Sequence, residues 1–166
     1  MLDAVRRRLE EDPENVLPTL RLLIDPDTNP LDESTVALAK TLNAYRVVSR
    51  LREIRARSYS TTDVAELLGG VSRQAVSQRV AKGQLMSIQI SGKAYFPDWQ
   101  FIDGLPVTGL TEVITALHDA GQDTFTADSV MRTSLPEERG RTPADVLAAG
   151  DVDRAVHYVR VIGAGF

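Results

Sequence analysis

Between residues 58 and 101 the hydrophobic pattern of the chain changes period from helical to two. Val64, Ala65, Leu67 and Leu68 recur at helical spacing, and so do Val76 and Val80 with Ala75 beside them. Leu85-Met86-Ser87-Ile88-Gln89-Ile90 then alternates with period two, as a half-buried strand does. Ser91-Gly92-Lys93 turns the chain, and Ala94-Tyr95-Phe96 returns. The pattern predicts two short helices joined by a tight turn at Gly69-Gly70-Val71, followed by a β-hairpin. Local chemistry supports the same boundaries. Ser60 and Asp63 have capping-box spacing, Ser72 caps the second helix, and Gly83 ends it. Trp99 and Phe101 close the segment as core residues.

The flanks read as helical. Asp3 caps a first helix bearing Val5 and Leu9, and Asp12-Pro13 interrupts it. Val16, Leu17, Leu20, Leu23 and Ile24 form a second apolar stripe, with Pro18 at a first turn or a kink. A long helix is expected from Asp32 to about Arg57, with acids at its start and Arg50, Arg52, Arg55 and Arg57 at its end. Leu38, Leu42 and Tyr45 step along one side, as do Val47, Leu51 and Ile54, which suits a core helix or a dimerisation helix. Beyond residue 102, Asp103-Gly104-Leu105-Pro106 is a linker or turn. Leu110, Val113, Ile114 and Leu117 mark a helix, and Ala127 to Thr133 a shorter one. Pro136 to Gly140 is a charged loop. Thr142 and Asp145 form a second capping box around Pro143, and Asp151 caps a last helix carrying Val152, Ala155, Val156 and Val159. Gly163-Ala164-Gly165-Phe166 is a tail ending in an exposed aromatic.

The expected fold is therefore mainly α, with a winged helix-turn-helix and a two-stranded β wing. N-terminal helices (1–57) precede that unit (58–101), and a small helical domain (102–166) follows it. A second helix presented this way reads the DNA major groove. Arg73, Gln74, Ser77 and Gln78 project from the face opposite Val76 and Val80, with Arg79 on the border. Arg forks onto guanine and Gln bridges adenine, while Ser is small enough to approach either. The alternative is an ordinary solvated face, but no Glu or Asp occurs from Ser72 to Gly92, where acids would repel phosphate. Ser72, Arg79, Lys82 and Lys93 complete the expected DNA-binding set, Lys93 at the hairpin tip.

Charge changes the picture in the same direction. The net charge of −4 argues against a nucleic-acid partner. Residues 45 to 93, however, hold nine Lys/Arg against three acids, leaving −10 for the remainder. A local positive field is thus set between acidic flanks.

The segment TTDVAELL, VSRQAVSQRV, KGQL, the hairpin and YFPDWQF resembles the MerR/excisionase-type winged helix-turn-helix. By that resemblance Arg73, Gln74, Ser77 and Gln78 are the base-facing positions. A typical turn has one glycine, where this chain has Gly69 and Gly70. FPDWQF, GLTEVITAL and GRTPADVLAAGDVDRAVHYV resemble the toxin-binding domain of Xre/MbcA/ParS antitoxins. That likeness implies a helical domain that holds a toxin, often of the NAD-degrading RES type. Arg141, Thr142, Pro143, Asp145 and Phe166 are the partner-binding candidates. The insertion of Pro136-Glu137-Glu138-Arg139 before that motif departs from the family pattern.

No catalytic set emerges. His118 and His157 lack ligand-spaced partners, no phosphate-binding loop is present, and no serine lies in a nucleophile elbow. Gly163-Ala164-Gly165 has no helix after it to make a dinucleotide loop. The expectation is no enzyme, no metal and no cofactor. There is no cysteine, no apolar run near the roughly 18 residues of a membrane span, and no secretion signal after Met1, which suits a cytoplasmic chain. The composition, 43% hydrophobic and 25% charged, is that of a globular protein. The leading expectation is a homodimer that binds double-stranded DNA at a near-palindromic operator, as antitoxin and autorepressor. A stand-alone regulator with a dimerising or ligand-sensing C-terminal half is the alternative, and an interaction module without DNA binding is a second.

Overall fold

A computed structural model describes residues 33–163. The two expected helices before residue 32, and Phe166, lie outside the described residues. The chain divides after Ser49 into two compact units. The first helix, α1 (Glu33–Ala56), crosses that division and confirms the expected long element to within a residue at each end. Within it Leu42, Tyr45 and Val47 are exposed, while Leu51 is half-buried and Ile54 buried. Of the stripes expected as core, Leu51 and Ile54 take that role and Leu42, Tyr45 and Val47 do not; the Leu38 side chain lies outside the described residues.

From Arg50 onward the order is β1 (Ser58–Ser60), α2 (Thr61–Leu67), α3 (Arg73–Ala81), β2 (Ile88–Ile90) and β3 (Lys93–Pro97). A 3₁₀ turn at Asp98–Gln100 leads to β4 (Phe101–Ile102) and β5 (Leu105–Pro106). The helices α4 (Leu110–Asp119), α5 (Thr124–Met131), α6 (Pro143–Ala148) and α7 (Val152–Gly163) complete the unit, with a 3₁₀ turn at Pro136–Glu138. The fold is mainly α with a small β wing.

The helix-turn-helix forms as its caps dictate. Ser60 Oγ accepts from the Asp63 N–H at 3.2 Å while Asp63 Oδ2 accepts from the Ser60 N–H at 2.7 Å, a complete capping box. The Ser60 backbone N–H, and after it the Ser60 hydroxyl, hold the Asp63 carboxyl below its ordinary range. The end of α2 explains the doubled glycine. The Gly69 N–H bonds Glu66 O and the Gly70 N–H bonds Ala65 O, which is a Schellman termination. Gly69 and Gly70 have φ of +85° and +78°, so two consecutive left-handed residues make the turn where a side chain would cost about 1–2 kcal/mol each. Ser72 then accepts from the Ala75 N–H at 3.1 Å and starts α3.

The wing is larger than expected. β1 pairs with β3 (Tyr59 opposite Phe96) and β2 pairs with β3 (Gln89 opposite Ala94), giving an antiparallel sheet of order β1-β3-β2. Ser91 (φ 50°) and Gly92 (φ 75°) make the two-residue turn, so Lys93 is the first residue of β3, opposite Ile90, and not part of the turn. The expected strand from Leu85 shrinks to Ile88–Ile90. Buried Met86 is served by a side chain instead: Gln100 Oε1 accepts from its N–H at 2.7 Å, and Gln100 Nε2 donates to its carbonyl at 2.9 Å and to Pro97 O at 3.3 Å. Asp103-Gly104, read as a linker or turn, is the turn of the β4–β5 hairpin.

One apolar cluster runs from Val64, Val76, Phe96 and Trp99 through Leu110 and Val130 to Leu147 and Val159. The expected boundary at 101/102 therefore falls inside a continuous core. α4 packs on α7 and α7 on α6. The helix expected at Ala127 begins earlier, at Thr124, because Asp123 caps it through the Phe125 and Thr126 N–H groups. Trp99 Nε1 donates to buried Asp128 at 3.1 Å, and Arg132 joins Asp128 (2.9 Å) to Asp98 (2.7 Å). At Gly109, the uncapped start of α4 (φ +80°), an added Cβ would lie 2.4 Å from Val152 Cγ2, so only glycine fits.

Candidate nucleic-acid interface

The candidate reading surface is one face of α3. Val76 is fully buried and Ala75 and Val80 are half-buried, which fixes the helix and turns Ser72, Arg73, Gln74, Ser77 and Gln78 outward. All five are exposed. Arg73 is not a loose side chain: its Nη2 donates to Thr62 Oγ1 at 3.1 Å, so the first turn of α2 orients it. Thr62 thus has a part in the site that its sequence position did not signal. Ser77 Oγ donates to Arg73 O at 3.1 Å, within its own helix, which leaves the hydroxyl oxygen to accept from a partner. Gln74 and Gln78 carry intact amide donor-acceptor pairs on either side of it.

Arg79 is half-buried and Lys82 exposed. Together with Gln78 and Gln84 they line a groove of about 520 Å³, whose opposite wall is Val107, Thr111 and Glu112 at the start of α4. Glu112 is the one carboxylate among the residues lining that groove. Lys93 is exposed at the base of the wing turn, separate from that groove. Among the described residues, no carboxylate lies within ion-pair distance of Arg73, Arg79, Lys82 or Lys93. A surface of this composition presents amides and guanidinium forks for base edges and unpaired cations for phosphate.

The C-terminal candidates are arranged differently. Thr142 and Asp145 close a capping box on each other (Thr142 N–H to Asp145 Oδ2 2.8 Å, Asp145 N–H to Thr142 Oγ1 3.1 Å), and Pro143 is buried. Arg141 pairs with Glu138. Glu138, expected in a solvated charged loop, is buried: its carboxylate also accepts from Tyr158 Oη at 2.6 Å and pairs with Arg154. The Tyr158 hydroxyl, then Arg141, hold the Glu138 carboxyl below its usual range, while the carboxylate raises the Tyr158 phenol. His118 and His157 are exposed, and no cluster of His, Cys, Asp or Glu among the described residues is placed to hold a metal ion. Nor is any helix among them long and apolar enough to cross a membrane.

No protein-family model matches the chain, and no curated protein matches it. Among solved structures it is similar to the NMR structure of Rv2175c, at 26% identity and a TM-score of 0.55, over 64% of this chain and 80% of that one.

Proposed function

We propose that this chain is a sequence-specific double-stranded DNA-binding protein, acting as a homodimer in the cytoplasm, with α3 as its reading helix. The observation that carries the reading is the outward face of α3. Arg73, Gln74, Ser77 and Gln78 stand exposed and free of ion pairs on a helix clamped by buried Val76. Arg79, Lys82 and Lys93 would supply the salt-dependent phosphate affinity, and the α3 face the choice of sequence. Exposed Tyr45, Val47 and Val48 on α1 supply apolar surface of the kind a second copy covers.

The test is electrophoretic shift with the chain's own upstream DNA against a random duplex. Arg73→Ala with Gln74→Ala should abolish site preference and keep weak, salt-sensitive binding, since each bidentate base contact contributes roughly 1–3 kcal/mol of discrimination. An unchanged preference removes α3 from this role.

An antitoxin role, in which residues 102–166 hold a RES-like toxin and the complex represses its own operon, rests on the GRTP motif. Less supports it: Thr142, Pro143 and Asp145 serve their own helix, and Arg141 is engaged by Glu138. Co-purification of the full chain with the product of a neighbouring toxin-like reading frame would carry it. Failure to co-purify or to rescue growth leaves a stand-alone regulator.

A further inference from the structure

We infer that the last turns of α1 form a second phosphate-binding surface beside the wing, with Arg52 and Arg55 gripping DNA backbone outside the segment read by α3. The inference rests on the DNA-binding reading and enlarges its footprint. It begins with a packing fact. Ile54 is buried in a small cluster with Ile88 and Ile90, and Leu51 and Tyr95 pack around it. The end of α1 is thus seated on one face of the β2–β3 hairpin. Ala94 and Phe96, which alternate with Tyr95 along β3, join the main core on the other face. Held on both faces, the wing and the end of α1 present their side chains as one surface.

Three cations share the rim of that surface. The Arg55 guanidinium lies over the Tyr95 ring, 5.6 Å from its centroid. Stacking on the ring orients the guanidinium without neutralising it. Lys93 is two residues before Tyr95 on β3, so it stands on the same side of the strand about 7 Å away. Arg52 precedes Arg55 by three positions, one turn along the same side of α1.

The lack of acids separates these cations from Arg50, Arg132, Arg141 and Arg154. Arg50, two positions before Arg52, has Glu53 at 3.7 Å and Asp128 at 3.9 Å. Arg132 is held between Asp98 and Asp128, and Arg141 and Arg154 share Glu138. Arg52, Arg55 and Lys93 are exposed, and no carboxylate among the described residues pairs with any of them. A duplex supplies one negative charge per roughly 1.7 Å of its axis, the complement this rim lacks. The sequence places Arg50, Arg52, Arg55 and Arg57 together at the end of the long helix. The structure sorts that run into a neutralised member, Arg50, two unpaired members on α1 beside the wing, Arg52 and Arg55, and Arg57, unpaired but past the end of the helix.

The experiment is fluorescence anisotropy with the full chain between 50 and 200 mM salt, on a duplex carrying its preferred site and on a random one. Arg52→Gln and Arg55→Gln should each lower the slope of log K against log salt by about 0.9 on both duplexes. Site preference should not change; the thermal midpoint should hold for Arg52→Gln and fall by no more than about 1–4 °C for Arg55→Gln, which also loses the contact with the Tyr95 ring. Arg160→Gln, which removes an exposed charge from α7, should leave the slope as it is. If the wild-type chain binds, and Arg73→Ala with Gln74→Ala abolishes its preference while the α1 variants keep the wild-type slope, the α1 surface is refuted and α3 stands. If the wild-type chain binds neither duplex, the DNA-binding reading fails and takes this inference with it.

Discussion

Replacing Gln100 by Leu should destabilise the protein by about 2–4 kcal/mol, although the new side chain is apolar, similar in size and fully buried. The figure follows from what Gln100 does. It is inaccessible to solvent, and its amide serves both the N–H and the carbonyl of Met86, itself buried outside any strand. Leucine leaves both backbone groups of a buried residue without a partner, at about 2–2.5 kcal/mol each, within the usual range of about 1–3. Its own burial returns about 1–2 kcal/mol, since no polar side chain need then be desolvated. For a chain of 166 residues, each kcal/mol moves the thermal midpoint by about 2–4 °C, so the midpoint should fall by about 5–15 °C. Calorimetry, with urea unfolding alongside, measures this; the urea slope should not change, because the same surface is exposed on unfolding. Gln84→Ala, on an exposed glutamine nearby, should stay within about 0.5 kcal/mol of wild type. A loss below about 0.5 kcal/mol for Gln100→Leu would refute the assignment of Met86 to this side chain. Because Met86 lies between α3 and the wing, the same variant should also weaken any reading of DNA that needs both in register.

Gly109→Ala should cost at least about 2 kcal/mol in urea unfolding, from positive φ together with the Val152 contact. Adding Val152→Ala should recover the steric part and leave the backbone part, and strict additivity of the two substitutions would contradict the contact. Glu138 gives a pH dependence of defined sign. Its carboxyl is depressed in the folded chain, chiefly by the Tyr158 hydroxyl, so its stabilisation is complete above the unfolded value near 4.3 and is lost as pH falls through the folded value. Glu138→Gln should therefore be less stable than wild type at pH 7, with the gap narrowing between pH 5 and 3. A constant gap across that range would show that the carboxylate's charge is not what Arg141, Arg154 and Tyr158 recognise.

The helix α3 and its two faces were legible because their evidence is local. Val76 and Val80 set one face, Ser72 and Gly83 set the ends, and the polar residues between them had one remaining direction to point. Other features depend on partners distant in sequence. β1 is three residues long and pairs with Tyr95 to Pro97, so it carries no periodicity of its own. Gln100 bonds a backbone fourteen residues away, and no side-chain pattern records such a bond. Glu138 reads as a member of a charged loop until Tyr158 arrives from α7 and covers it. The division at 101/102 followed a turn signal at Asp103-Gly104 that proved to be a hairpin within one core. Glu112 enters the groove beside Arg79 and Lys82 although it lies outside the acid-free span that the sequence displayed.

The most direct measurement is selection of binding sites from a random duplex pool by the full chain, followed by affinity for the recovered sequence. The account predicts recovery of an inverted repeat with half-sites about one or two helical turns apart, bound far more tightly than random DNA. Arg73→Ala with Gln74→Ala should fail to recover it. A wild-type pool that stays random through successive rounds at low salt would contradict the claim that α3 reads DNA.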